Sequence, residues 1–158
     1  VKADMRSTTT AIEAYAVDWN YYPLNGVLVK TGTVQNPQTQ LAPPAHKFLY
    51  EGITTPVAYM TTMPHDPFVK EVHAGPVEWQ EFYPRYFYTN LRWFGKITEP
   101  SSPPVIAKKR GQYGDWILAA AGPDRDRLDL AKDLMYDPTN GTVSDGDIVR
   151  SLRMTDAK

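Results

Sequence analysis

The sequence predicts an α+β domain, with one amphipathic helix at the N-terminus followed by several short strands that complete an antiparallel meander. Three observations carry that prediction. Apolar residues between Val1 and Trp19 recur at helical spacing, Phe82 to Phe94 is dense in aromatic residues, and Asp115 to Gly122 is an apolar run closed by glycine. The first is the period of a helix, and the other two are the compositions of strands.

The helix is read from VKADMRSTTTAIEAYAVDWNYYP. Val1, Met5, Ile12, Tyr15, Ala16 and Trp19 recur at spacings of three, four and seven, and Lys2, Asp4, Arg6, Glu13 and Asp18 take the polar positions. Pro23 and Gly26 end the pattern, so the helix is assigned to residues 1–22 and the head to residues 23–158, the two forming one domain. The run Ser7-Thr8-Thr9-Thr10 is poor helix material, because β-branched and hydroxyl side chains lose freedom or compete for backbone bonds. Such a helix needs tertiary support.

From Val27 to Pro44 the composition turns to Thr, Gln, Asn, Gly and Pro and reads as loop. A short helix is expected in TTPVAYMTTMP, with Thr55 as cap and Pro56 in the first turn, and HDPF then turns around Asp66-Pro67. The stretch Phe82 to Phe94 is expected as the first strand and Asp115 to Gly122 as the second. Between them, TEPSSPPVIAKKRGQYG reads as a connection whose Lys108-Lys109-Arg110 run marks an exposed turn beside Gly111. Leu134 to Tyr136 and Asp147 to Ser151 supply the last short strands.

Composition narrows the function. A chain of 158 residues has a one-domain length and can bury a core without staples. Seventeen Lys and Arg against eighteen Asp and Glu give a net charge of -1, which argues against DNA or an anionic membrane surface as partner. The absence of cysteine excludes a thiol nucleophile, a zinc-thiolate site and a disulfide framework. No run of about 18 or more apolar residues occurs, and no signal-peptide pattern is present. The helical pattern is already under way at Val1, as expected where an N-terminal segment has been removed.

Enzyme signatures are missing: the chain has no phosphate-binding glycine loop, no G-x-S-x-G and no H-E-x-x-H. His46, His65 and His73 stand apart without ligand spacing, and no enzyme is expected. The aromatic stretch Phe82 to Phe94 reads as core packing or as a sugar-binding face; base stacking would come with a basic groove that the composition lacks. The tail YDPTNGTVSDGDIVR leaves two readings. Calcium takes about six to eight oxygen ligands and suits loops of Asp, Asn, Gly and Ser. An ordinary turn also fits, since Asn140-Gly141 accepts positive φ. An EF-hand beginning at Asp124 is excluded, because Asp129 and Met135 stand where its glycine and its bidentate Glu belong.

Taken in order, AIEAYAVDWNYYP (Ala11 to Pro23), ITTPVAYMTTMPHDPF (Ile53 to Phe68), YFYTN (Tyr86 to Asn90), WILAAAGPDRD (Trp116 to Asp126) and the tail resemble the soluble part of a type II secretion pseudopilin, closest to the major, G-type members. The resemblance implies a pilin-like fold, with the N-terminal helix as the C-terminal half of a spine packed on a small antiparallel sheet, and long loops. It also implies a periplasmic head whose apolar inner-membrane anchor, made from a leader-bearing precursor, would precede Val1. The function implied is that of a structural subunit assembling head-to-tail into a filament that drives protein export, with other pseudopilins and inner-membrane secretion components as partners. The helix face of Met5, Ile12, Tyr15 and Trp19 would be shared between its own sheet and neighbouring helices.

Family members also hold calcium near the C-terminus through two aspartates, which fall here on Asp124 and Asp147. The family spacing between them is short, whereas this chain carries RDRLDLAKDLMYDPTNGTVSDG in between. That insertion either adds Asp126 and Asp145 as ligands or replaces the metal with a Tyr136 to Val143 hairpin. A secreted carbohydrate-binding module using the Phe82 to Phe94 aromatics is the alternative from another class. A type IV pilin or minor pseudopilin is the nearer one, and a hydrolase using the C-terminal carboxylates is more distant.

Overall fold

The computed structural model describes residues 1–23, 52–69, 84–93, 104–125, 135–139 and 144–154. Over these the chain is α+β, in the order α1 (Lys2–Trp19), β1 (Phe87–Asn90), α2 (Pro104–Tyr113), β2 (Trp116–Ala120) and β3 (Ile148–Ser151). Among the described residues no helix is long and apolar enough to cross a membrane.

The weak helix formers of α1 bond back to the helix itself. Ser7 Oγ, Thr8 Oγ1 and Thr10 Oγ1 donate to the carbonyls of Ala3, Asp4 and Arg6 at 3.3, 2.9 and 3.0 Å, so their hydroxyls are satisfied within the helix, although such back-bonding does not strengthen it and tertiary packing must. Met5, Thr8, Ala11 and Ile12 form the buried stripe. The helix stops at Trp19, before the expected Pro23, because Asn20 turns into the left-handed region at φ 57° and ψ 21°. Asparagine enters that region more readily than other non-glycine residues and so ends a helix as glycine does.

The sheet has the order β1-β2-β3 with both pairings antiparallel, Asn90 facing Trp116 and Ile117 facing Ser151. Alternation then sorts the side chains. Trp116, Leu118 and Ala120 of β2 join Tyr88 and Ile148 in a core closed by Met5, Ala11 and Ile12 of α1. Ile117 and Ala119 pack on the opposite face with Leu91, Tyr113 and Val149. All five residues of β2 are buried, which explains why WILAA is continuously apolar rather than alternating.

The chain leaving α1 is clipped to β1. Tyr88 donates its hydroxyl to the Pro23 carbonyl at 2.9 Å, and Asn90 Nδ2 donates to the carbonyls of Tyr22 and Pro23 at 3.2 and 3.1 Å. Asn90 Oδ1 meanwhile accepts the Trp93 amide at 2.9 Å. On the helix itself, Glu13 accepts Trp116 Nε1 at 3.0 Å and the Tyr22 hydroxyl at 3.2 Å. Tyr86 closes the other end by donating to Asp4 Oδ2 at 3.1 Å.

Four expectations need correction. Lys108, Lys109 and Arg110 lie on helix α2, not in a turn. Pro104 suits the first helical position, and Gly114, at φ 91°, ends the helix just after Tyr113; the high Pro and Ser content of the connection hid both signals. The helix expected after Thr55 is a series of bends, with helical residues at 52–54 instead. The backbone there wraps the Ile53 carbonyl, which accepts the amides of Tyr59 and Met60 at 2.9 and 3.2 Å. The first strand is confined to Phe87–Asn90, since residues 91–93 turn helical. Met135 makes a single bridge to Asp147 rather than a strand. The expected loop from Val27 to Pro44, His46, His73, Phe82, Tyr83 and Phe94 lie outside the described residues.

Asn90 is 4% exposed and serves three bonds, so Asn90→Ala leaves buried carbonyls and an amide without it. The expected loss is about 2 kcal/mol, measured as a lower urea midpoint at unchanged slope. An unaltered midpoint would show that the three Asn90 bonds contribute nothing to the clip.

Candidate functional site at the acidic end of the sheet

Antiparallel pairing of Ala120 with Ile148 determines where the tail must meet the rest of the head. The residues after β2 and those before β3 share one end of the sheet, whatever the length of chain between them. The turn at 122–125 therefore lies against residues 145–147. The approach is so close that a Cβ built on Gly122 would fall 2.3 Å from the Gly146 carbonyl oxygen. Both glycines have positive φ, 67° and 125°, which side-chain-bearing residues rarely adopt.

Asp124 takes advantage of this approach, its Oδ2 accepting the Gly146 amide at 3.1 Å. Asp147 is buried at 1% exposure, and its carbonyl accepts the Tyr136 amide at 2.9 Å. Asp145 is exposed, while the adjacent Ser144 is buried and its Oγ accepts the Asp137 amide at 2.9 Å. Asp137 accepts the amide and hydroxyl of Thr139 at 2.9 and 2.7 Å, and these bonds hold its carboxyl below the usual aspartate range. The Asp-Pro turn is thus present at residues 137–139, while Asn140 and Gly141 lie outside the described residues. Asp126 does too.

Sequence reading missed a further aspartate at this end. Asp66, 2% exposed, accepts the Phe68 amide on Oδ1 at 3.0 Å and the Ala121 amide on Oδ2 at 2.8 Å. HDPF signalled the turn but not that its carboxylate reaches the end of β2. Asp66, Asp124, Asp145 and Asp147 thus come from three chain segments to the same end. Among the described residues, no group of three or more His, Asp or Glu side chains is arranged to hold a metal ion.

The proposed assembly face divides along α1. Met5 and Ile12 are fully buried in the head's own core. Tyr15 is partly buried, its ring centroid 6.0, 5.8 and 5.7 Å from those of Trp19, Tyr21 and Tyr59. Burial and then the neighbouring Tyr21 hydroxyl keep the Tyr15 hydroxyl protonated far above the ordinary tyrosine range. Trp19 is 45% exposed and donates Nε1 to the Tyr59 hydroxyl at 3.1 Å, which in turn donates to Asp18 at 2.7 Å. Val17 is 82% exposed.

The described aromatic residues of the Phe82 to Phe94 stretch mostly face inward. Tyr86 and Tyr88 are buried and Phe87 packs on the second core, so these three rings do not form an exposed platform. Burial raises the Tyr88 hydroxyl well above its ordinary value, as burial and Asp4 do for Tyr86.

No protein-family model matches this chain, and neither the curated proteins nor the solved structures give a match.

Gly122→Ala must both strain the backbone and displace the Gly146 carbonyl. A loss of about 2 kcal/mol is expected, seen as a melting temperature lower by roughly 4–8 °C. A melt within a degree of the parent would mean that the two turns do not meet as described.

Proposed function

We propose that this chain is a structural subunit of a type II secretion pseudopilus, assembling head-to-tail into a periplasmic filament that drives protein export, and that it is not a catalyst. The observation that carries the reading is the clip between two separated motifs. The helix exit NYYP and the strand YFYTN, each part of the resemblance, are bonded to each other through Tyr88, Asn90 and the Pro23 carbonyl. A spine helix must be tied firmly to its head if a filament is to transmit force, and this clip, with Glu13 bonded to Trp116, supplies such a tie.

In this reading Met5 and Ile12 hold the head on its own helix, leaving the Val17 and Trp19 end of α1 for neighbouring subunits. Open filaments arise from such heterologous contacts when they do not close into a ring. The pilin-like architecture, the inner-membrane anchoring before assembly and the partnership with other pseudopilins belong to the same proposal. They require an apolar helical segment continuous with α1 in the whole protein.

Deletion of the gene tests the reading. Secretion of exported proteins should fail and return with the parent gene. Val17→Asp, at an 82% exposed position, should leave the fold intact yet fail to restore secretion. Undisturbed secretion in the deletion strain would refute the reading.

Calcium is the second part of the proposal. Asp124, Asp126, Asp145 and Asp147 offer hard oxygen donors, and the packing of the 122–125 turn on residues 145–147 brings two of the donor segments together. Bound there, the ion would neutralise the carboxylates and order the tail. At a hundredfold excess over its dissociation constant it would add about 2.7 kcal/mol of stability. The expected result is a melting temperature several degrees higher in millimolar calcium than in EDTA, and unchanged by magnesium. Equal melts in both would remove calcium from the proposal and leave the filament role standing.

A further inference from the structure

The sheet register sorts charge as well as side chains. At the end where β1 stops, β2 starts and β3 stops lie Arg92, the C-terminal turn of α2, Asp115 and Arg153. Asp137 and Asp145 lie at the opposite end, beside Ser144. The two sets are therefore separated along the strand direction, on a molecule whose net charge is only -1.

Two guanidiniums flank the Asp115 carboxylate at the basic end, and a third, that of Arg153, bonds the Gly111 carbonyl nearby. Arg110 Nε is 2.8 Å from Asp115 Oδ1, and Arg92 Nη1 is 3.9 Å from Oδ2. Arg153 donates its amide to the Tyr113 carbonyl at 3.2 Å and its guanidinium to the Gly111 carbonyl. Among these four described side chains the positive charges exceed the negative by two. Each guanidinium has five N–H donors, more than these contacts use. Arg110, Gly111, Asp115, Leu152 and Arg153 line an open cavity of about 450 Å³. Arg92 and Arg110 are about half exposed, 54% and 48% by side chain.

We infer that this arginine-lined cavity receives the acidic edge at Asp137 of a second copy of the chain. The inference rests on the filament reading and deepens it by naming the contact. Its basis is charge complementarity: both halves are on one molecule, at opposite ends of the strands, so translation along the strand direction brings unlike charges together and can repeat without closing. The Thr139 amide and hydroxyl both donate to Asp137 Oδ1, which fixes the shape of the turn and holds that carboxylate in its charged form. Opposed charges of this kind fix register between copies more than they add affinity.

Cysteine pairing tests it directly, because the 158 residues contain no cysteine. Arg92→Cys and Asp137→Cys forms of this 158-residue chain are mixed and oxidised at low and high salt. At low salt the mixed disulfide should exceed either same-variant disulfide by about tenfold, and high salt should reduce it. Charge reversal is the second measurement: Arg92→Glu and Asp137→Lys should each weaken self-association about tenfold, and the two variants mixed should restore it. Cross-links without preference, or single reversals without effect, would overturn the inference. Secretion lost on gene deletion together with random cross-linking would sink this contact alone. Selective cross-linking with secretion intact would sink the filament role alone.

Discussion

Burial of β2 on both faces is the constraint from which the rest of the head follows. A strand with no solvent face must have a layer on each side and a neighbour at each edge. Here α1 covers the face of Trp116, Leu118 and Ala120, and Tyr113 with Leu91 helps to cover that of Ile117 and Ala119. β1 and β3 take the two edges. Once that strand is central, its two ends become the two poles of the head. One pole joins the end of β1 to the start of β2, and the other joins the end of β2 to the start of β3.

Polar side chains then hold the layers in register. Glu13, Asp66 and Asn90 lie far apart in sequence, and each spends its polar atoms across a layer or loop boundary: on Trp116 and Tyr22, on Ala121 and Phe68, on Tyr22 and Pro23. Burying a carboxylate or an amide is costly unless its hydrogen bonds are made. These contacts therefore select one arrangement of helix on sheet more sharply than apolar packing alone can. A hydrophobic core tolerates sliding by a residue or two, whereas a buried amide aimed at one carbonyl does not. That positional stiffness is what a load-carrying subunit would draw on.

The two poles differ in chemistry, and the difference bears on the proposed role. At the acidic pole, glycines let two turns approach within contact distance, so Asp124 reaches a residue 22 positions further along the chain. At the basic pole, the end of α2 and the residues after β3 gather arginines around Asp115 and the Gly111 carbonyl. A filament subunit needs two different surfaces that fit each other rather than one surface that fits itself. Calcium at the acidic pole would order that surface by neutralising the carboxylates of its ligand set, while Asp137 stays outside that set.

By itself the sequence determined the α+β class, the helix across Val1 to Trp19, the apolar run of β2 and the aspartate turns, because periodicity, composition and turn chemistry are local properties. It also contained the marks of α2, a proline at the first helical position and a glycine just past the end, obscured by the serines and prolines before them. What only the tertiary structure decided is which of these local pieces meet. Asn20 rather than Pro23 ends α1 because a left-handed residue there sends Tyr22 and Pro23 back to Asn90. Asp66 is buried because its turn lies beside Ala121. Asp124 reaches Gly146 because Ala120 pairs with Ile148, and strand pairing brings residues together without regard to the length of chain between them.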